Sequence, residues 1–144
     1  MARSLDRRTV LRSAAAFGVS AVVVTEHRSS PLTAAAARIS SGGFLFVPIC
    51  RVTNLAQALD IVKEKGFWVL GLSENARDDF DTARLDAPLA LIIGNEERGI
   101  RQLTEKKCDW LLKLPTTGQL PSLNAAVAAA VSLALVRQSQ KSLR

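Results

Sequence analysis

At 144 residues and 48% apolar composition, the chain is long enough for one α/β domain with a real core and too short for two. Nineteen Lys and Arg against 13 Asp and Glu leave a net charge of +6, a balance that favours a polyanionic partner such as nucleic acid without naming one. Cys50 and Cys108 lack CxxC spacing and His27 is the single histidine. A disulfide scaffold and a zinc site are therefore excluded, free thiols in the reducing cytoplasm are expected, and no apolar run reaches the roughly 20 residues of a membrane-spanning helix.

In chain order, Thr9 to Phe17 carries a helical pattern and Val22 to Val24 is a β-branched run suited to a parallel strand covered on both faces. The same region supports a second reading. Asp6-Arg7-Arg8-Thr9-Val10-Leu11-Arg12, followed by apolar Ala14 to Val24 and small residues from Ala34 to Ala37, has the layout of a twin-arginine export signal. Pro31 suits a first helical turn, and the Ala-rich segment Leu32 to Ile39 is predicted to continue as helix until Ser40-Ser41-Gly42-Gly43 stops it. Phe44 to Cys50 follows as a short strand.

Leu55, Ala58, Leu59 and Val62 recur at helical spacing behind a Thr53-Asn54 cap, and Lys63 to Gly66 provide a basic end and a glycine stop. Phe67 to Leu72 reads as a strand, Ser73 to Pro88 as a polar loop, and Leu89 to Ile93 as a continuous apolar strand. Asp109 to Leu114 forms a last strand. Ser122 to Arg137 is predicted to be a long helix with Ser122 as its cap and Asn124 in its first turn, ending in a frayed tail. This alternation of strand and helix implies a mostly parallel sheet with helices on both faces.

In such sheets ligands bind beyond the carboxyl ends of strands, which directs attention to two turns. The first, Gly94-Asn95-Glu96-Glu97-Arg98-Gly99, combines glycines that admit close backbone approach with a carboxylate, although an ordinary strand-to-helix turn would have the same composition. The second runs from Leu114 through Pro115, Gly118 and Pro121 to Asn124 and delivers a helix N-terminus, which either is merely capped or presents N–H groups to a ligand. The helix that follows is apolar or small nearly all round, a pattern expected when more than one side is covered.

At these two turns the chain resembles the SpoU/TrmH family of RNA ribose methyltransferases, within the SPOUT superfamily. Leu91-Ile-Ile-Gly-Asn-Glu-Glu-Arg-Gly-Ile100 is similar to the family's second motif and Leu114-Pro-Thr-Thr-Gly-Gln-Leu-Pro-Ser-Leu-Asn124 to its third; Arg51-Val-Thr-Asn-Leu-Ala56 and Cys108-Asp109 extend the likeness over roughly Thr9 to Arg137. The resemblance implies an α/β fold closed by a C-terminal trefoil knot, S-adenosylmethionine held by main chain at Gly94, Leu114 and Leu123, and a homodimer acting on RNA. The branch it resembles most methylates ribosomal RNA on the guanosine 2′-oxygen. It assigns the catalytic arginine to Arg12 and its polar partners to Glu96, Ser122 and Asn124. Because arginine holds its proton too tightly to serve readily as a base, the expected role of Arg12 is to hold a phosphate or a developing alkoxide.

The likeness departs at the first motif, where Asp6 stands for the family's asparagine and Arg8 for its glycine; Leu45 replaces a common glutamate. With Met1 as the start, the family's opening strand and its small N-terminal RNA-binding domain are expected to be missing. The sequence thus offers two alternatives, an active methyltransferase or a SAM- and RNA-binding module impaired by truncation.

Overall fold

A computed structural model of the chain describes residues 6–25, 46–80, 85–95, 97–119 and 123–142. In order, the elements are α1 (Arg7–Ala16), β1 (Val22–Thr25), β2 (Ile49–Val52), α2 (Leu55–Glu64), β3 (Trp68–Leu72), β4 (Asp78–Asp79), β5 (Leu89–Ile92), α3 (Gln102–Glu105), β6 (Trp110–Lys113) and α4 (Ala125–Ser142). Among the described residues the strands form two sheets rather than one, a β1-β2 pair and a four-stranded sheet ordered β4-β6-β3-β5, and all the pairings are parallel.

β3 lies inside the larger sheet, with Leu70 paired to Leu91 of β5 and to Trp110 of β6. Its alternation divides the core. Leu70 joins Phe80, Leu85 and Leu112 on one face, backed by Leu135 and Val136 of α4. Val69 joins Leu59 of α2 and Ile92 on the other, backed by Ile100 and Cys108. Helices therefore cover both faces, as the continuous apolar run Trp68 to Leu72 requires. Gly71 allows this packing to close, since a Cβ there would lie 2.8 Å from Ile100 Cδ1 and 2.9 Å from Cys108 Sγ.

Local chemistry sets the helix boundaries. The Asn54 side chain accepts from the Gln57 N–H at 3.2 Å and caps α2, as expected from Thr53-Asn54. Asp6, read as a departure from the family motif, caps α1. Its carboxylate accepts from the Thr9 hydroxyl at 2.8 Å and from the Arg8 and Thr9 N–H groups at 3.1 and 3.3 Å. The Thr9 hydroxyl bond is the main influence holding the Asp6 carboxyl below its ordinary range. Of the segment considered as an export signal, residues 6–25 form a capped helix that buries Leu11 and Ala14 and packs against α4, followed by a paired strand, and Ala34 to Ala37 lie outside the described residues. No helix among the described residues is long and apolar enough to cross a membrane.

Several expectations shift. The strand expected over Phe44 to Cys50 lies at Ile49–Val52, because Pro48 has no N–H for a ladder and instead gives its carbonyl to Val22. The expected helix from Leu32 to Ile39 lies outside the described residues. The polar stretch after Leu72 contains β4 and buries Phe80 and Leu85, two apolar residues set singly among polar ones in the sequence. α3 was not foreseen. The last helix begins at Ala125, not Ser122, and Asn124 caps it. The Asn124 carbonyl accepts from the Ala128 N–H at 2.8 Å, and its Oδ1 accepts from the Ala126 and Val127 N–H groups at 2.9 and 3.4 Å. The tail does not fray before Ser142, whose hydroxyl donates to the Gln138 carbonyl.

Asp109 stitches β6 to β3. Its N–H donates to the Val69 carbonyl at 2.8 Å, and its Oδ2 accepts from the fully buried Val69 N–H at 2.7 Å, while Lys63 lies 3.2 Å from Oδ1. Asp109→Ala leaves that buried N–H unpaired and is expected to cost about 1–3 kcal/mol in urea denaturation, with Asp109→Asn recovering most of the loss because it keeps an acceptor. Next to it, burial first, then Glu105 and Asp109, push the Cys108 thiol up from 9.0 to about 11. The folded state therefore holds this proton more tightly than the unfolded chain. Its stabilising contribution is present below pH 9 and is lost as pH rises through about 11. Urea midpoints measured from pH 8 to 11 are expected to fall more steeply for the wild-type protein than for Cys108→Ala.

Candidate functional site

Because β3, β5 and β6 are parallel, their carboxyl ends open on the same edge of the sheet. A cavity of about 820 Å³ lies there. β3 and the turn after it contribute Leu72, Ser73, Glu74 and Asn75; β5 and its turn contribute Ile93, Gly94, Asn95, Glu97, Arg98, Gly99 and Ile100. β6 and the following segment contribute Leu112 to Thr117, and the start of α4 closes the wall with Leu123, Ala125 and Ala128. Both turns singled out in the sequence thus face one space.

The turn after β5 folds back on itself. The Asn95 N–H donates to the Gly99 carbonyl at 3.0 Å and the Gly99 N–H returns to the Asn95 carbonyl at 2.8 Å, forming an isolated antiparallel bridge. Gly99 adopts φ +64°, a left-handed conformation suited to glycine. A Cβ at Gly94 would lie 2.5 Å from the Gly99 carbonyl carbon and 2.7 Å from the Ile100 nitrogen, so backbone passes backbone with no room for a side chain. Close approach thus requires glycine at position 94, and the left-handed backbone favours it at position 99.

The three positions expected to hold a cofactor, Gly94, Leu114 and Leu123, all line the cavity. The expected catalytic set is not brought together in the same way. Arg12 is exposed on α1 and is not among the cavity residues, while Asn124 sits between cavity residues Leu123 and Ala125 with its Oδ1 engaged in capping α4. Glu96 and Ser122 lie outside the described residues.

Ser73, Glu74, Asn75, Asp79 and Lys113 also border the cavity and were not singled out in the sequence. The available signal was the strand ending at Leu72, since the rule that directs attention past the carboxyl ends of β5 and β6 applies equally to β3. The described wall carries carboxylates at Glu74, Asp79, Glu97 and Glu105 against cations at Arg98 and Lys113, with Lys113 4.0 Å from Asp79. Within a chain of net charge +6, this cavity has an acidic lining that suits a cationic ligand. Among the described residues no group of His, Cys, Asp or Glu could hold a metal ion.

The profile of the SpoU rRNA methylase family matches residues 9–134. A protein of Bacillus subtilis, YacO, assigned to the TrmH family of tRNA/rRNA methyltransferases, is 44% identical over 121 residues, which are 84% of this chain and 49% of that protein. The chain thus spans about half the length of the curated relatives it matches. Among solved structures, the SpoU methyltransferase AviRb from Streptomyces viridochromogenes, crystallised with AdoMet, superposes with a TM-score of 0.86 at 27% identity, covering 95% of this chain and 56% of that one. A protein studied for 2-OH methylation of C/U34 on tRNA superposes with a TM-score of 0.81 at 25% identity, covering 96% of this chain and 90% of that one. With its parallel sheet, its two facing turns and a family profile that spans both, this chain belongs to the SpoU rRNA methylase family.

Proposed function

We propose that this chain carries the methyl-transfer site of an S-adenosylmethionine-dependent RNA 2′-O-ribose methyltransferase acting on ribosomal RNA, with guanosine as its nucleoside, and that it works as a cytoplasmic homodimer. The observation that carries the reading is the convergence of Gly94, Leu114 and Leu123 on one cavity. The residues present fit the cofactor. About 820 Å³ is within the range of small-molecule sites, Leu72, Ile93 and Leu114 offer apolar surface to an adenine, and the carboxylates suit a sulfonium and an ammonium group. Gly94 keeps the wall open for main-chain contact.

When bound, the cofactor would supply an electrophilic methyl group. The task of the chain is to orient a ribose hydroxyl for in-line attack and to stabilise the charge that develops on its oxygen. Arg12, exposed on the helix that packs against α4, is assigned to a phosphate or to that developing alkoxide. Asn124 holds the first turn of α4, and with it Ala125 and Ala128, in place against the reactants. Glu96 and Ser122 complete the set from positions whose chain neighbours Asn95, Glu97 and Leu123 border the cavity. The trefoil knot belongs to the same reading, with the C-terminal segment threaded through a loop so that both turns wrap the cofactor. Val127 and Val131 lie four residues apart on α4 and are 46% and 39% exposed, an apolar strip that supports pairing through that helix.

A second reading keeps the chemistry and changes the target. The structure studied for tRNA 2-OH methylation is matched over 90% of its length, which supports a tRNA ribose as the acceptor.

Transfer of a labelled methyl group to unmodified ribosomal RNA and to unmodified tRNA, with ribose-methylation mapping, decides between them. A 2′-O-methyl guanosine in ribosomal RNA is the expected outcome; a product in tRNA alone replaces the target, and cofactor binding without transfer to either indicates a non-catalytic binding module. Gly94→Ala forces a methyl group against the Gly99 backbone, a strain of about 1–3 kcal/mol. Calorimetric titration is expected to show S-adenosylmethionine binding weakened on the order of 10- to 100-fold.

A further inference from the structure

The loop between Gly94 and Ile100 is tied at both ends. The paired bonds between Asn95 and Gly99 close its neck, and Ile100 packs into the core beside Val69, Leu59 and Ile92. Its apex contributes Glu97 and Arg98 to the cavity wall, between the two residues of the Asn95–Gly99 bridge. Across the apex runs a side-chain bond: Asn95 Oδ1 accepts from the Glu97 N–H at 2.8 Å. Asn95 therefore acts on the neck through its backbone and on the apex through its side chain.

We propose that Asn95 is the positioning residue of this site, its side-chain oxygen fixing the apex of the β5 turn in the shape that receives the cofactor. The inference rests on the cofactor reading given above. The bond bridges a single residue on an exposed turn, so it adds little to global stability; its effect is confined to how far the apex is ordered before a ligand arrives. An apex that must be ordered on binding binds more weakly, and the loss falls on the ligand that touches it. Aspartate preserves the oxygen acceptor and alanine removes it.

The test measures wild type, Asn95→Ala and Asn95→Asp in three ways: S-adenosylmethionine affinity by calorimetry, thermal midpoint, and hydrogen exchange of the Glu97 amide by NMR. Asn95→Ala is expected to weaken binding about three- to tenfold, the amount one hydrogen bond supplies. It is also expected to speed Glu97 exchange while leaving the thermal midpoint close to wild type, and Asn95→Asp is expected to restore slow exchange. In methyl transfer Asn95→Ala is expected to raise the KM for S-adenosylmethionine and to leave the KM for RNA in place. Unchanged Glu97 exchange and unchanged affinity in Asn95→Ala overturn the proposal. Faster exchange with unchanged affinity confines the bond to local structure and also overturns it. Wild-type protein that binds no S-adenosylmethionine overturns the cofactor reading itself, whatever the exchange data show, and this inference with it.

Discussion

The parallel register around β3 is the constraint from which the rest of the architecture follows. With β5 on one side and β6 on the other, Val69 and Leu70 lose all solvent exposure, one to each face of the sheet. A strand buried on both faces cannot slip by one residue, since that would exchange the α2 side of the core for the α4 side. Parallel pairing also requires a crossover between strands: α3 lies on the one from β5 to β6, α2 leads into β3, α4 leaves β6, and the carboxyl ends of β3, β5 and β6 lie together at one edge. The cavity is a consequence of this geometry. Asp109 reinforces the register where β6 begins by supplying a side-chain acceptor to Val69, and the ion pair with Lys63 connects α2 to the same point.

Backbone approach, more than side-chain chemistry, shapes the site. Gly94 and Gly99 allow the β5 turn to fold onto itself, and the bridge at Asn95 fixes it there. On the opposite wall, the chain after β6 runs from Leu114 to Thr117 along the cavity, and α4 begins immediately behind Leu123. A wall built this way recognises a ligand by shape and by main-chain groups, which suits a nucleoside-like cofactor. The acidic residues around it oppose the basic character of the whole chain, so the cavity favours a cation within a protein of net positive charge.

The N-terminal helix has a structural role that its arginines obscure. Asp6 caps it, Leu11 and Ala14 are buried, and it packs on α4. α4 in turn buries Ala126, Ala129 and Ser132, with the Ser132 hydroxyl donating to the Ala128 carbonyl at 2.7 Å, so the helix meets its neighbours through small residues whose polar atoms are satisfied. Arg12 is thereby presented at the surface of a packed element. Arg7, partly buried, is held below the ordinary arginine range by desolvation and then by the nearby Arg51.

Much of the local structure was legible in the sequence because it rests on short-range chemistry. Asn54 caps α2, the β-branched run at Val22 forms a strand, the continuous apolar runs form β3, β5 and β6, and the two glycine-containing turns border one cavity. What the sequence could not settle involves competition between neighbours or contact at a distance. Ser122 was expected to cap the last helix with Asn124 inside its first turn, whereas it is the Asn124 side chain that accepts from the first N–H groups of α4. Phe80 and Leu85 became core residues because residues 78 and 79 pair with β6, far along the chain. Ser73, Glu74 and Asn75 joined the cavity through the shared edge of three strands, and Arg12 was placed on a helix apart from the residues that line it. The sequence by itself determined the first helix, α2, α4 and the apolar strands β1, β3, β5 and β6, and it marked the glycine-containing turn after β5, since capping, periodicity and backbone freedom act within a few residues. Only the tertiary structure decided which turns share a wall, because that depends on parallel pairing between segments 20 to 40 residues apart.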